Sequence, residues 1–110
     1  MDNVEDPVVE EANKAIVEVL KEVRNFLLAK NRDYQGSAFR DMEFAGNTIK
    51  AEDTIDVRIV DKLRRLQSKS LAFEGREDTV KDLLGYLVIR FALAKMRKSK
   101  GEGSPGKSDE

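Results

Sequence analysis

The segment that ends near Arg97 most constrains what this chain can fold into, because it is apolar on nearly every side when drawn as a helix. This third helix is predicted to begin at Glu77 or Asp78. One side carries Val80, Leu83, Leu84, Leu87, Val88 and Phe91, and the other carries Tyr86, Ile89, Leu93 and Met96. A helix without a polar face lies buried in a protein interior. A chain of 110 residues is too short to surround it, so we expect a homo-oligomer.

Helix one is predicted from its capping residues and its apolar spacing. Asp6 is a good N-cap, and Pro7 suits the first helical position, where a backbone N–H is not needed. The helix is expected to end near Lys30. Its apolar residues recur at helical spacing and are Val9, Ala12, Ile16, Val19, Leu20, Val23, Phe26 and Leu27.

Helix two is predicted to begin at Asp53 or Thr54 and to run to about Phe73. Gly75 is expected to end it, since glycine is the usual residue just past a helix C-terminus. The core-facing residues of this helix are Ile55, Ile59, Leu63 and Leu66.

The connection between helices one and two, residues 31–53, is rich in turn formers. Only a short helical stretch around Phe39 to Phe44 is expected within it. The predicted fold class is therefore all-α, with three main helices in a small bundle that homo-oligomerisation completes.

The two ends of the chain are predicted to lie outside the folded domain. Residues 1–6 are acidic, lack an apolar signal region and are expected to be flexible. Residues 98–110 are rich in Gly, Ser and charge and are expected to be disordered. The all-α domain is assigned to residues 7–97. Because no run of about 18 apolar residues exists, we expect a cytoplasmic protein without a membrane partner.

Composition restricts the chemistry that is available. The chain has no cysteine and no histidine, which removes disulfides, thiolate ligands and the usual neutral-pH general base. Any reaction must use carboxylates, lysine, arginine, tyrosine or hydroxyls, and any metal site would have oxygen ligands. The 20 basic and 21 acidic residues nearly balance, so duplex nucleic acid is not expected as a partner.

A first polar group lies where helix one becomes loop. It consists of Lys30, Asn31, Asp33 and Tyr34, and Gly36 follows it. On one interpretation Lys30 only interacts favourably with the helix dipole and a polar turn follows. On the other, an aromatic ring, a carboxylate and a glycine in one loop stack on and hydrogen-bond a planar base.

A second group occupies one side of helix two, at about 100° per residue. It consists of Arg58, Asp61, Lys62 and Arg65. These residues are either ion pairs one turn apart, such as Asp61 with Arg65, worth about 0.5 kcal/mol, or a cationic wall that holds phosphates. In the second interpretation Asp61 orients the cations or binds a metal.

A third group lies on helix three, where Asp78 and Asp82 are four residues apart and Gly85 continues the same face. Taken by itself, Asp78 is interpreted as the N-cap of helix three. Asp82 lies a full turn inside an apolar helix, and burial of an unpaired carboxylate costs several kcal/mol. It therefore needs Arg58, Lys62, Arg65 or a metal beside it. The two carboxylates are either part of an ion-pair network between helices two and three or ligands of Mg²⁺.

Taken in order, these groups resemble the nucleotide modification associated domain 1 family of small bacterial and phage proteins. The residues that carry the resemblance are Lys30-Asn31-x-Asp33-Tyr34-x-Gly36, Arg58-x-x-Asp61-Lys62-x-x-Arg65-Leu66 and Glu77-Asp78-Thr79-x-x-Asp82-Leu83-x-x-Tyr86. The resemblance implies a nucleotide ligand. The ligand-binding residues that it implies are Lys30, Asn31, Asp33, Tyr34, Arg58, Lys62, Arg65 and Tyr86.

More distantly, the layout is similar to the all-α nucleoside triphosphate pyrophosphohydrolases, the MazG and dimeric dUTPase group. Those proteins bind Mg²⁺ through acidic motifs on two helices. By this resemblance the metal ligands here would be Asp61, Asp78 and Asp82, and the cofactor Mg²⁺. The sequence departs from the pattern on helix two, because Asp61 stands alone where that group has several carboxylates.

Three functions are consistent with these residues. The first is a nucleotide-binding protein, for instance a phage factor, that holds a phosphorylated nucleotide or cyclic-nucleotide signal in a cationic pocket. The alternative is a Mg²⁺-dependent pyrophosphohydrolase, in which the metal polarises the phosphoryl group and activates water. A second alternative is a structural or adaptor oligomer whose charges form internal ion pairs.

Overall fold

The computed structural model describes residues 6–68 and 73–101. The described chain is mostly helical, as predicted, and it contains three long helices. In chain order, a small antiparallel two-stranded sheet, which the sequence did not suggest, comes after the first helix and before the second. Residues 1–5 and 102–110, which make up most of the predicted flexible ends, lie outside the described residues. The chain divides into two compact units, and the boundary follows Gln35.

The first unit consists of helix α1, Pro7–Asp33, and the turn that follows it. Its start is as predicted: the Asp6 carboxylate caps the helix by accepting a hydrogen bond from the Val8 N–H at 2.8 Å. Its end lies three residues beyond the predicted Lys30, because Tyr34 still donates its backbone N–H to the Lys30 carbonyl. No residue of α1 is buried. Its exposed large apolar side chains are Val8, Val9, Ile16, Val17, Val19, Leu20 and Leu28.

The second unit opens with a 3₁₀ turn, Ser37–Phe39, and a β-hairpin. Strand β1, Met42–Phe44, pairs antiparallel with strand β2, Asn47–Ile49. Ala45 and Gly46 both have positive φ, 52° and 80°, which is the backbone of a tight type I′ hairpin turn. The predicted helical stretch around Phe39 to Phe44 is therefore wrong beyond Phe39.

Helix α2, Ala51–Gln67, begins before the predicted Asp53 and ends before the predicted Phe73. Its N-cap residue, Lys50, makes no side-chain cap. Instead the Asp41 carboxylate, ten residues upstream and just before the hairpin, accepts a hydrogen bond from the Ala51 N–H at 2.9 Å. A cap supplied from that distance satisfies the same free backbone donor as a local one.

Helix α3, Phe73–Ser99, begins at least four residues before the predicted start and ends two residues after the predicted Arg97. Gly75 does not end helix two, as the sequence suggested, but lies within the first turn of α3. The Thr79 hydroxyl donates a hydrogen bond to the Gly75 carbonyl at 2.7 Å. None of the described helices is long and apolar enough to span a membrane.

Helices α2 and α3 lie antiparallel, because residues early in α2 contact residues late in α3. The core between them is small. Among the described residues, its buried apolar members are Ala51, Ile55 and Leu93, and the half-buried side chains that pack against them are Ala38, Phe39, Ile59, Tyr86 and Ile89. The 3₁₀ turn therefore closes one end of the helix pair, and the core fixes which residues of α2 face which residues of α3.

Candidate functional site

Charged residues run along both edges of the α2–α3 pair, one edge on each side of the core. We call the first the paired edge and define it by Glu52 and Asp56 of α2 with Arg90 and Arg97 of α3. We call the second the open edge. Its residues are Arg58, Asp61, Lys62 and Arg65 of α2, which are spaced to share one side of the helix, and Asp78 and Asp82 of α3.

Ion pairs close the paired edge. Arg97 donates to both carboxylate oxygens of Glu52, through Nε to Oε2 and through Nη2 to Oε1 at 2.9 Å. Its Nη2 also lies 3.7 Å from an oxygen of Asp41, the residue that caps α2. One turn further along α2, Arg90 Nε donates to Asp56 Oδ1 at 2.8 Å. Every charged group that defines this edge therefore has an opposite charge beside it.

The Arg97 guanidinium changes the acidity of its partner. The hydrogen bonds that it donates, which are stronger than the opposing effect of burial, hold the pKa of Glu52 below its usual value. The Glu52 side chain is only 17% exposed, so water screens this pair less than it screens a surface pair. Sequence reasoning did not single out this network. The sequence feature that indicates this network is the presence of acidic residues early in α2 and arginines late in α3, which an antiparallel helix pair brings together.

On the open edge, one ion pair joins the two helices. Lys62 Nζ lies 3.2 Å from Asp82 Oδ2. The predicted cationic partner of Asp82 is therefore found, and it is Lys62. The prediction that Asp82 is buried is wrong, because its side chain is 47% exposed and that of Lys62 is the more buried at 22%. Water thus reaches Asp82, and this ion pair does not consume its whole hydrogen-bonding capacity.

Arg65 contacts α3 through a hydroxyl. Its Nε donates a long hydrogen bond, 3.5 Å, to Thr79 Oγ1, and the threonine is almost completely buried. The interpretation in which Arg65 forms an ion pair with Asp61 is not realised, because no ion pair or hydrogen bond joins the side chains of these two described residues. Arg65 is exposed, so its guanidinium keeps donors that Thr79 does not use.

Three charged side chains of the open edge stand alone. Arg58, Asp61 and Asp78 are exposed, and within residues 6–68 and 73–101 none of them has a hydrogen bond or an ion pair through its side chain. Asp78 is not the N-cap of α3, as one interpretation had it, because it lies more than a turn inside the helix. The open edge therefore presents unpaired charges of both signs, together with one ion pair that water reaches.

Tyr86 and the first polar group lie elsewhere. Tyr86 is half-buried and packs against the core between the helices. Lys30, at the end of α1, has its ammonium 4.9 Å from the centre of the Phe26 ring, a cation–π contact. The other members of that group, Asn31, Asp33 and Tyr34, are exposed, and Tyr34 is 63% so. These four residues belong to the first unit and Tyr86 to the second.

The carboxylates of the described residues do not gather into a ready-made metal centre. In that part of the chain no three Asp or Glu side chains lie together as a potential ligand set. Mg²⁺ typically uses only one or two protein carboxylates and completes its coordination with water and phosphate oxygens. The implied ligands Asp61, Asp78 and Asp82 and the implied cofactor Mg²⁺ therefore stay predictions.

No protein-family model, curated protein or solved structure matches this chain. The resemblance to the nucleotide modification associated domain 1 family therefore stays a prediction from the residues that carry it. The open edge is where two of its three blocks lie, those of α2 and α3. Its exposed, unpaired charges are the described feature on which a function can be built.

Proposed function

We propose that the open edge binds the phosphates of a nucleotide. The observation that carries the proposal is Arg58, an exposed arginine without a partner among the described residues, in the same strip of α2 as Lys62 and Arg65. Guanidinium groups bind phosphate oxygens in pairs, through two parallel N–H donors. The three cations would then surround one phosphorylated group.

Contacts with α3 hold two of these three cations in place. Asp82 holds Lys62 in place at 3.2 Å, and Arg65 is held by Thr79. Positioned cations lose less side-chain entropy when a ligand binds than mobile ones do. Recognition of the base by Asp33 and Tyr34 stays a prediction from the sequence, because both residues belong to the first unit and the open edge belongs to the second.

A second candidate is Mg²⁺-dependent hydrolysis of a nucleoside triphosphate. It is favoured by Asp61 and Asp78, two exposed carboxylates without a cation beside them among the described residues. In this case the ion would supply polarisation of the phosphoryl group and activation of water, chemistry that a chain without histidine otherwise lacks. Arg58, Lys62 and Arg65 would bind the phosphates in either function.

We also propose that the chain works as a homo-oligomer. The support is the small core described above, set against apolar side chains that stay exposed on α1 and α3. Large apolar side chains exposed along a helix are typical of protein–protein interfaces. The remaining alternative, a purely structural or adaptor oligomer, would leave the charges of the open edge without a ligand.

A thermal-shift panel of linear and cyclic nucleotides, each with and without Mg²⁺, tests the proposal. A ligand at 100 times its Kd adds about 2.7 kcal/mol of stability, which raises the Tm by several degrees at fixed protein concentration. Stabilisation that persists without Mg²⁺, with intact ligand, is expected. Stabilisation that needs Mg²⁺ and is followed by cleavage of the ligand identifies a hydrolase, and no stabilisation by any nucleotide contradicts both functions.

A further inference from the structure

The face of α3 that points away from the core is a continuous apolar stripe. Its members are Val80, Leu84, Leu87, Val88 and Phe91. Their spacing places them in one band along the helix. Phe91 is 79% exposed, Val80 and Leu87 are each 46% exposed, and Val88 is 40% exposed. An exposed phenylalanine at the end of such a stripe makes the band a candidate interaction surface.

An acidic residue lies at one end of this stripe and a basic residue at the other. Glu77 lies before it and Lys95 after it, eighteen residues apart. Eighteen residues are five full turns at about 3.6 residues per turn, so the two side chains share one face of α3. Both are exposed, and neither has a hydrogen bond or ion pair with another described residue.

The stripe and its two charges are symmetric along the helix. Glu77 and Lys95 each lie nine positions from Tyr86, and the stripe from Val80 to Phe91 is centred at the same level. An antiparallel helix with the same sequence would therefore place apolar residues opposite apolar residues. It would also place each glutamate opposite the lysine of the other helix.

We propose that this face is the interface between two copies of the chain, in which the two α3 helices pack antiparallel about a two-fold axis at the level of Tyr86. Each copy's Glu77 then lies opposite the other copy's Lys95, and the contact forms twice. The same surface patch faces itself, as a two-fold interface requires.

Charge complementarity favours a second copy of this chain in this orientation over other occupants of the stripe. In a parallel pair, glutamate would lie opposite glutamate and lysine opposite lysine, which is repulsive. A partner of unrelated sequence would need an apolar stripe with the same spacing of opposite charges. The chain supplies that surface itself. The interface rests on the homo-oligomer proposed above, and it does not depend on the open edge or on any nucleotide.

Analytical ultracentrifugation of the full chain, measured over a dilution series, tests the interface. Dimers are expected for the unmodified chain. Phe91→Glu, which places a carboxylate in the stripe, should weaken dimerisation at least a hundredfold. The matched control is Val57→Glu, since Val57 is 60% exposed on α2 outside the stripe, and it should leave dimerisation unchanged. A monomeric unmodified chain, or a Phe91→Glu chain as dimeric as the control, would overturn the proposal.

A charge-swap cycle tests the antiparallel register. Glu77→Lys and Lys95→Glu should each weaken dimerisation by about tenfold, because each replaces two attractive contacts with two repulsive ones. The double variant restores opposite charges and should dimerise within about threefold of the unmodified chain. Circular dichroism at the same concentrations checks that each variant is folded. A double variant that dimerises more weakly than either single variant would contradict the antiparallel register.

Discussion

The two edges of the α2–α3 pair both combine acidic and basic residues but differ in how their charges are matched. On the paired edge, Glu52 and Asp56 each have an arginine within hydrogen-bonding distance. On the open edge, Arg58 and Asp61 have no partner among the described residues, although they lie on the same helix. We therefore expect the paired edge to contribute more to stability, and we propose that the open edge keeps its unpaired charges available for a ligand.

Burial distinguishes the Arg97–Glu52 pair from the other two described pairs between the helices. The Glu52 side chain is 17% exposed, whereas those of Asp56 and Asp82 are 51% and 47% exposed. When an ion pair is hydrogen-bonded and partly removed from water, loss of one partner strongly destabilises the folded state. An exposed pair contributes about 1 kcal/mol or less. Loss of Arg97 should therefore destabilise the fold more than loss of a residue from either of the two exposed pairs.

The core holds both edges in register, so its loss should have the largest effect. Ile55→Ala removes a buried side chain from the centre of a small core and should lower the free energy of unfolding by about 3 kcal/mol. Val57→Ala, two residues away on an exposed position, should change it by less than about 0.5 kcal/mol. Urea denaturation measures both. Equal effects would show that the core lies elsewhere.

The next largest effect should separate the edges directly. Arg97→Ala leaves Glu52 without its bidentate partner and should cost about 2 kcal/mol of unfolding free energy. Arg58→Ala, the matched change on the open edge, should cost less than about 0.5 kcal/mol because Arg58 is exposed and has no partner among the described residues. If Arg58→Ala were as costly as Arg97→Ala, the open edge would be a structural network too.

The cap of α2 should have a smaller effect. Asp41→Ala removes the acceptor for the Ala51 N–H and should cost about 1 kcal/mol. Asp41→Asn keeps an acceptor oxygen and should retain part of the stability. Asp53→Ala serves as control, since Asp53 is exposed in the first turn of α2 and is not the cap. A loss for Asp53→Ala as large as that for Asp41→Ala would contradict the remote cap.

Acid should weaken the paired edge in a defined direction. Since the pKa of Glu52 is lower in the folded chain, its stabilising contribution is complete above the unfolded pKa of about 4.3 and is lost as the pH falls through the lower folded value. Glu52→Gln should therefore lose less stability than the unmodified chain when the pH is lowered from 6 to 3. Urea midpoints at each pH measure this. Parallel profiles would contradict the assigned cause.

Much of the helical fold was predictable because its signals are local. Asp6 and Pro7 mark the start of α1, and apolar spacing marks all three helices. The start of α2 was misplaced because its cap, Asp41, is ten residues away. The hairpin was missed because an alanine, Ala45, occupies a positive-φ position that sequence rules reserve for Gly or Asn.

The candidate site was predictable only in part. The spacing of Arg58, Lys62 and Arg65 placed them on one face of α2. The sequence predicted that Asp82 needs one of these cations or a metal beside it, and the structure shows that the partner is Lys62. Which charges would lie at the paired edge depended on the register of α2 against α3. That register is set by contacts between residues far apart in the chain, and no pattern within one helix contains it.

The most direct test of the proposed function is calorimetric titration of nucleotides into three proteins. These are the unmodified chain, Arg58→Ala on the open edge and Arg90→Ala on the paired edge. We expect the unmodified chain and Arg90→Ala to bind a nucleotide with similar Kd and Arg58→Ala to bind it at least about tenfold more weakly, because a charged hydrogen bond is lost. Equal Kd values for all three proteins, or no binding by any, would contradict it.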